Sequence, residues 1–284
     1  MNLPILTTPH ELDRYLQSHR SQSIGFVPTM GALHVGHQSL IERARSENTV
    51  VIVSIFVNPL QFAADEDLDR YPRQLEIDRV ICEAAGVDML FVPTVESMGI
   101  RDTLTQVVPP ASMVNRLCGN TRTGHFQGVA TIVAKLLNIV QPDRAYFGEK
   151  DAQQLAIIRR IVTDLNLPVS IVGCPTLRAN SGLAHSSRNQ YLSPTGRSQA
   201  AVIYRSLQQA QKLAKNGETD PHKLLTAAKT ELSTVTEFHL EYLELVDPHT
   251  LQSIDTLDKP ALLAIAGRIE NTRLIDNIGI LPAV

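Results

Sequence analysis

The stretch "SIGFVPTMGALHVGHQSLIERARSE", residues 23–47, carries the reading on which the fold depends. Its first part, "SIGFVP", is apolar at nearly every position, as in a strand buried on both faces, whereas "GHQSLIERARSE" has apolar residues at helical spacing. Between them Thr29 to Val35 form a loop, with Gly36 and His37 at the helix amino terminus. Outward from there the pairing repeats. "TVVIVSIF", "VDMLFVP", "RAYFG" and "VSIVGCP" are short β-rich runs bounded by Gly, Pro, Asn or Asp, and amphipathic segments such as "DAQQLAIIRRIVTDLN" alternate with them. Such alternation predicts an α/β fold, a parallel sheet with helices on both sides, whose ligands sit beyond the carboxyl ends of the strands.

After about residue 176 the pattern changes. "SPTGRSQAAVIYRSLQQAQKLAKNG" opens with a Ser-Pro helix entry and ends in Asn-Gly, and "DPHKLLTAAKTELSTV" repeats the device with Asp220 as cap and Pro221 in the first turn. The runs "HLEYLELVD", "ALLAIAGRI" and "TRLIDNIGI" then alternate with period two. Helices followed by three strands predict a smaller α+β domain with an antiparallel sheet, so the expected division is 1–176 and 177–284.

A chain of 284 residues with 43% hydrophobic content can fill such cores without staples. Its 26 basic and 29 acidic residues give a formal charge of −3 with no basic arm, so no nucleic-acid or membrane surface is expected and an anionic ligand must be held locally. Three widely spaced cysteines, Cys82, Cys118 and Cys174, read as reduced thiols of a cytoplasmic protein, and no signal-like or membrane-length apolar run is seen.

Five segments follow predicted strands or enter predicted helices. In "HVGH", unpaired helix-start amides would attract an anion beside His34 and His37, while Gly31 and Gly36 leave room for it. Solvated loop histidines and a zinc pair are the other readings, and no third or fourth metal ligand is evident. In "FGEKDAQQL", Gly148 ends a strand, Lys150 offers a cation and Asp151 a helix cap. "GLAHSSRNQYL" places Ser186, Ser187 and Arg188 as a phosphate clamp or as a polar linker. "SIFVNPLQF" puts the amides of Asn58 and Gln61 at a strand end, followed by the acidic loop "AADEDLDRYPR"; Arg122 and His125 precede a long apolar helix.

Together "VPTMGALHVGH", "VSIFVNPLQF", "RYPR", "GHFQGVATIVAKLLNIVQPDRAYFGEKDAQQL" and "GLAHSSRNQYL" resemble the pantothenate synthetase (pantoate–β-alanine ligase) family from about residue 20 to 192, and "RLIDN" extends the match. The resemblance implies a Rossmann-like domain, a smaller domain that covers the site, a homodimer, and condensation of pantoate with β-alanine using ATP and Mg²⁺ through pantoyl adenylate. By the family pattern Met30, Gly31, Ala32, Leu33, His34, Val35, Gly36 and His37 form the ATP loop, with His37 a proton donor. Gly148, Glu149, Lys150 and Asp151 contact ATP, Leu177 meets adenine through its backbone, and His185, Ser186, Ser187 and Arg188 close on the phosphates. Gln61 and Gln154 hold pantoate, Asn58 and Gln61 meet β-alanine, and Tyr71, Arg122 and His125 line the second pocket. Two departures stand out: His185 replaces the family's usual Met or Leu, and "VPTVESMGIRDTLTQVV" lacks a Tyr-Pro, which implies an altered surface loop. The alternatives are a nucleotidyltransferase for another small acceptor, disfavoured by two glutamines where a phosphorylated acceptor would call for cations, and a non-enzymatic nucleotide-binding module.

Overall fold

A computed structural model describes residues 3–63, 66, 68–101 and 104–283. Ala64, Asp65 and Asp67 of the acidic loop, and Asp102 and Thr103 of the segment lacking Tyr-Pro, lie outside the described residues. The chain divides into two compact units. The first comprises Met1–Pro109, Arg122–Glu149 and Ile157–Pro175; the second comprises Pro110–Thr121, Lys150–Ala156 and Thr176–Val284. Two stretches from the first 176 residues thus group with the second unit.

In the first unit six strands, β1 (Ile5–Leu6), β2 (Ile24–Thr29), β3 (Val50–Ile55), β4 (Met89–Phe91), β5 (Arg144–Gly148) and β6 (Ser170–Cys174), form one sheet in the order β1-β4-β3-β2-β5-β6. Every pairing is parallel. The five runs read as strands are strands, because residues such as Phe26, Val27, Val51, Val53, Leu90 and Tyr146 are buried between the sheet and its helices. The sixth, β1, is a two-residue edge that pairs with Leu90 and Phe91 and is too short to show a period. Strand order reverses between β2 and β5, and the loops beyond their carboxyl ends are where such sheets bind ligands.

The helices are α1 (Pro9–Gln17), α2 (Val35–Glu47), α3 (Leu75–Ala84), α4 (Ala111–Val114), α5 (Cys118–Thr121), α6 (His125–Val140), α7 (Ala152–Asp164), α8 (Pro194–Ala200), α9 (Val202–Lys215) and α10 (Pro221–Leu232). Helix α6 is buried nearly all round, which suits its run of Val, Ala, Ile and Leu.

In the second unit β7 (His239–Val246), β8 (Ala261–Ile269) and β9 (Thr272–Ile280) form an antiparallel sheet. Its apolar face meets α9 and α10 in a core that includes Leu207, Leu224, Leu243, Leu263 and Ile265. Both expected caps form: Ser193 Oγ accepts from the Gly196 amide at 3.0 Å and Asp220 Oδ1 from the His222 amide at 2.8 Å. The Ser-Pro segment makes two helices, not one, because Ala201, at ψ −19°, takes 3₁₀-like dihedrals between α8 and α9.

Candidate active site

The loop between β2 and α2 starts at Met30 and ends at His34, so the helix begins one residue earlier than its sequence suggests. Gly31 and Ala32 both have positive φ, +80° and 51°, and the chain turns there in the left-handed region. Four of its amides are already engaged. Gly31 N donates to Thr29 Oγ1 (3.1 Å), Ala32 N to Asp78 Oδ2 (2.9 Å) and Leu33 N to Asp78 Oδ1 (2.7 Å). His34 N donates to His37 Nδ1 (3.3 Å) and Gly36 N to His34 Nδ1 (3.1 Å), a capping box built from two imidazoles. The expectation of bare backbone N–H groups here is narrowed: side chains of Thr29, Asp78, His37 and His34 satisfy these five donors, of which Gly36 N is the one at the helix start. Gly31 also faces the protein, since a Cβ there would lie 2.9 Å from Asp78 Oδ2.

The same caps set the tautomer of each ring. An Nδ1 that accepts an amide proton carries none, so the neutral tautomer of both His34 and His37 has its proton on Nε2. The rings sit with centroids 4.1 Å apart and tilted by 43°, which makes them a pair of oriented donors.

Beyond β3 the amides fall into a second cluster of the same unit. Asn58, 3% exposed, accepts from Leu60 N through Oδ1 and donates through Nδ2 to Gln61 Oε1 and Gly128 O, each at 3.1 Å. These bonds use both Nδ2 hydrogens, so Asn58 orients Gln61 and is not a loose contact group. Gln61 Nε2 in turn lies 3.1 Å from Met30 Sδ, joining this cluster to the histidine loop. The Gln61 carbonyl accepts from His125 Nδ1 (2.8 Å) and Arg122 Nη2 (3.3 Å). Because guanidinium only donates, Arg122 Nη1 at 2.9 Å makes His125 Nε2 the acceptor and fixes Nδ1–H toward Gln61. Glu66 grips Arg122 with both oxygens at 2.6 and 2.7 Å. Burial alone would push the Glu66 carboxyl up, but the hydrogen bonds and charge of Arg122 hold it below the usual carboxylate range. Arg122 and His125, expected to line a pocket, therefore clamp the backbone of Gln61. Tyr71 is buried edge-on against Phe62, with centroids 6.0 Å apart. Gly148 closes β5, and exposed Glu149 opens the 3₁₀ turn that follows.

The second unit carries the remaining residues. Lys150 Nζ lies 3.8 Å from Asp151 Oδ2, and the Lys150 carbonyl accepts from Asn277 Nδ2 at 2.8 Å. Asp276, beside Asn277 in "RLIDN", is 4% exposed and binds Arg178 through both oxygens, with Oδ1 at 2.9 Å from Nη2. Arg178 also stacks 3.8 Å over the Tyr204 ring and anchors the turn after Leu177. The Leu177 carbonyl accepts from His185 N at 3.0 Å. Ser186 Oγ caps the 3₁₀ turn Ser187–Tyr191 by accepting from Arg188 N at 3.3 Å, which leaves its own proton to donate. Of the adjacent glutamines on α7, Gln153 is buried and bonds Cys118 N, Met113 O and Arg116 O, whereas Gln154 is partly exposed.

A family model described as pantoate-beta-alanine ligase matches residues 4–279. The chain belongs to the pantoate–β-alanine ligase family. It is 58% identical over 261 residues, 90% of this chain and 49% of the relative, to a bifunctional pantoate ligase/cytidylate kinase of Trichormus variabilis. A protein of the same description from Synechococcus elongatus is 54% identical over 275 residues, 96% of this chain and 52% of the relative. The chain thus spans about half the length of these curated relatives. Among solved structures, pantothenate synthetase from Thermus thermophilus superposes with a TM-score of 0.94 at 48% identity, covering 98% of this chain and 100% of that one. Pantoate-beta-alanine ligase from Francisella tularensis, complexed with beta-gamma ATP and beta-alanine, gives 0.80 at 38% identity, with 97% of each chain covered.

Within the pantoate–β-alanine ligase fold, the residues that sequence reasoning passed over are those that hold others in place: Asp78, Glu66, Gly128, Arg178 and Asp276. Asp78 left a trace, a lone carboxylate on the apolar stripe Leu75, Asp78, Cys82 of α3, where burial demands partners. Among the described residues no group of three His, Cys, Asp or Glu side chains could hold a metal ion, and no helix is long and apolar enough to cross a membrane.

Proposed function

We propose that this chain joins pantoate to β-alanine with ATP in two steps. Pantoate carboxylate attacks the α-phosphorus, the bond to the bridging oxygen breaks, and pyrophosphate leaves. The β-alanine amine then attacks the acyl carbon of the adenylate, sheds a proton, and AMP departs with the carboxylate oxygen. The observation that carries this reading is the paired capping of His34 and His37, which places the proton of each ring on Nε2 at a strand-to-helix loop in a chain of this family.

Charge that develops on the α-phosphate and on departing pyrophosphate is stabilised by donors fixed in advance. His34 and His37 supply two of them, with each Nδ1 engaged by the helix cap and His37 the proton donor of the family pattern. Lys150, Ser186, Ser187 and Arg188 supply the rest, with Met30 to Gly36, Gly148 to Asp151, Leu177 and His185 completing the ATP contacts. Gln61 and Gln154 orient pantoate, Gln61 faces β-alanine, and Asn58, Arg122 and His125 act through Gln61. Tyr71 lines the second pocket. Mg²⁺ would accompany the nucleotide phosphates, for among the described residues no group of three His, Cys, Asp or Glu side chains builds a protein cage for it. A homodimer in the cytoplasm completes the reading, and light scattering checks the dimer.

Pyrophosphate exchange into ATP tests the proposal. Exchange should require pantoate and fail with other small hydroxy acids, and adding β-alanine should yield AMP and pantothenate. Exchange that ignores pantoate would overturn it, and a stable nucleotidylated product with no amide would favour a nucleotidyltransferase.

A further inference from the structure

We infer that Asp78 is a positioning residue for adenylation: its carboxylate holds the loop that carries His34 and His37 in reactive geometry. The inference rests on the ligase reading above. Asp78 projects from α3, is 1% exposed, and commits one oxygen to each of two consecutive amides, Ala32 and Leu33. The first of them belongs to Ala32, a non-glycine residue held in the left-handed region at φ 51°, which is disfavoured for an unsupported chain. Charge-assisted bonds to the carboxylate offset that strain.

Packing does not do the same work on this side. A cavity of about 290 Å³, lined by Met30, Gly31, Asp78, Ile55, Val57 and Val92 among others, adjoins the loop where β2, β3 and β4 end. A loop beside empty space keeps its shape through its bonds, and without the carboxylate it can relax into the cavity. The two histidines follow directly, since the His34 amide is itself the donor that orients His37. Displacement of such donors by about 1 Å costs on the order of 100-fold in rate.

The geometry also assigns Gly31. Its missing Cβ would stand 2.9 Å from Asp78 Oδ2 and 3.0 Å from Ile55 Cγ2, so a side chain there pushes the carboxylate off the loop. Asp78→Asn keeps the shape and one acceptor but points an NH₂ at an amide proton; Gly31→Ala attacks the same contact from the other side.

The test separates the half-reactions. In Asp78→Asn, pantoate-dependent pyrophosphate exchange should fall about 10- to 100-fold in kcat, while added pantoyl adenylate reacts with β-alanine at the parent rate and the melting temperature stays close to the parent's. Gly31→Ala should lose exchange and keep the second half-reaction in the same way while melting earlier, because its φ of +80° strains any side chain, and this keeps the test open if Asp78→Asn folds poorly. Equal slowing of both half-reactions together with a lowered Tm would mean that Asp78 serves the fold alone and would overturn the inference, as would unchanged exchange kinetics in both variants. Hydrogen exchange at the Ala32 and Leu33 amides needs no substrate and should lose protection in Asp78→Asn; retained protection also overturns it. A parent protein that shows no pantoate-dependent exchange would sink the ligase reading, and the amide measurement would still decide the role of Asp78.

Discussion

An imidazole has two nitrogens, and at His34 and His37 one of each is committed to starting α2. That commitment sets the tautomer and gives a test in which the two nitrogens are removed separately. Asn places an acceptor near the position of Nδ1 but has nothing at Nε2, whereas Gln reaches the Nε2 position and abandons the cap. We expect His37→Asn to melt like the parent and lose about 100-fold in pyrophosphate exchange, the scale found on deleting one oxyanion donor, while His37→Gln keeps more exchange and melts earlier. The opposite ranking would make the ring a cap only. Lys150 is held through its backbone by Asn277, so its ammonium can be removed without disturbing the turn. Lys150→Ala should cost about 3 kcal/mol or more in the adenylation transition state with the fold intact; unchanged turnover would reduce Lys150 to a partner of Asp151. At this scale the sequence displayed the residues proposed to carry chemistry and hid those that hold them, because a carboxylate such as Asp78 is recognisable as a support only when the amides of Ala32 and Leu33, distant in the chain, are seen against it.

Among elements, the contact between α6 and the 3₁₀ turn Pro59–Gln61 governs the second cluster. The backbone of Leu60 comes so close to Gly128 that a Cβ there would sit 2.1 Å from the Leu60 carbonyl oxygen. Gly128→Ala must therefore push the turn away, at a cost of about 1–3 kcal/mol from overpacking. Because Gln61 and the Asn58 bond to Gly128 move with it, the KM for pantoate should rise more than the KM for ATP. Steady-state kinetics with each substrate varied in turn checks this; equal changes in both constants would show that the contact is only structural. The strands and long helices were legible from their periods, β2 and α2 most plainly. The edge strand β1 and the four-residue helices α4 and α5 were not, since a period needs more residues than they contain. Nor did the sequence reveal that residues 110–121 and 150–156 group with the second unit, which depends on contacts such as Arg116 with Leu251 and Ser253 and the Lys150 carbonyl with Asn277.

For the whole molecule, several carboxyls share one sign of shift. Asp247 at the end of β7 is lowered to about 2, chiefly by the Thr250 amide. Glu241 and Glu66 are held below the ordinary 4.5: burial pushes each upward, and arginine hydrogen bonds, from Arg273 and Arg122, outweigh it. A depressed folded pKa contributes stability that is present above the unfolded value and lost as pH falls through the folded one. Tm should thus hold at neutral pH and decline as pH falls from about 4.5 toward 2, with each unit contributing. In Glu66→Gln that slope should lessen by the share that Glu66 contributes, and a scan of Tm against pH that is indifferent to the substitution would refute the assignment.

By itself the sequence determined the layer order, the parallel and antiparallel sheets and the family, because burial on one or both faces writes a period into the chain and because "HVGH", "NPLQF", "GEKD" and "SSRN" stand in the family's order. Only the tertiary structure decided which groups remain to act. Hydrogen-bond partners far apart in sequence consume the Ala32 and Leu33 amides of the histidine loop, tie Asn58 to Gly128 and commit Arg122 and His125 to Gln61. Whether a polar group is free for substrate is a property of what folds against it, and no local pattern records that.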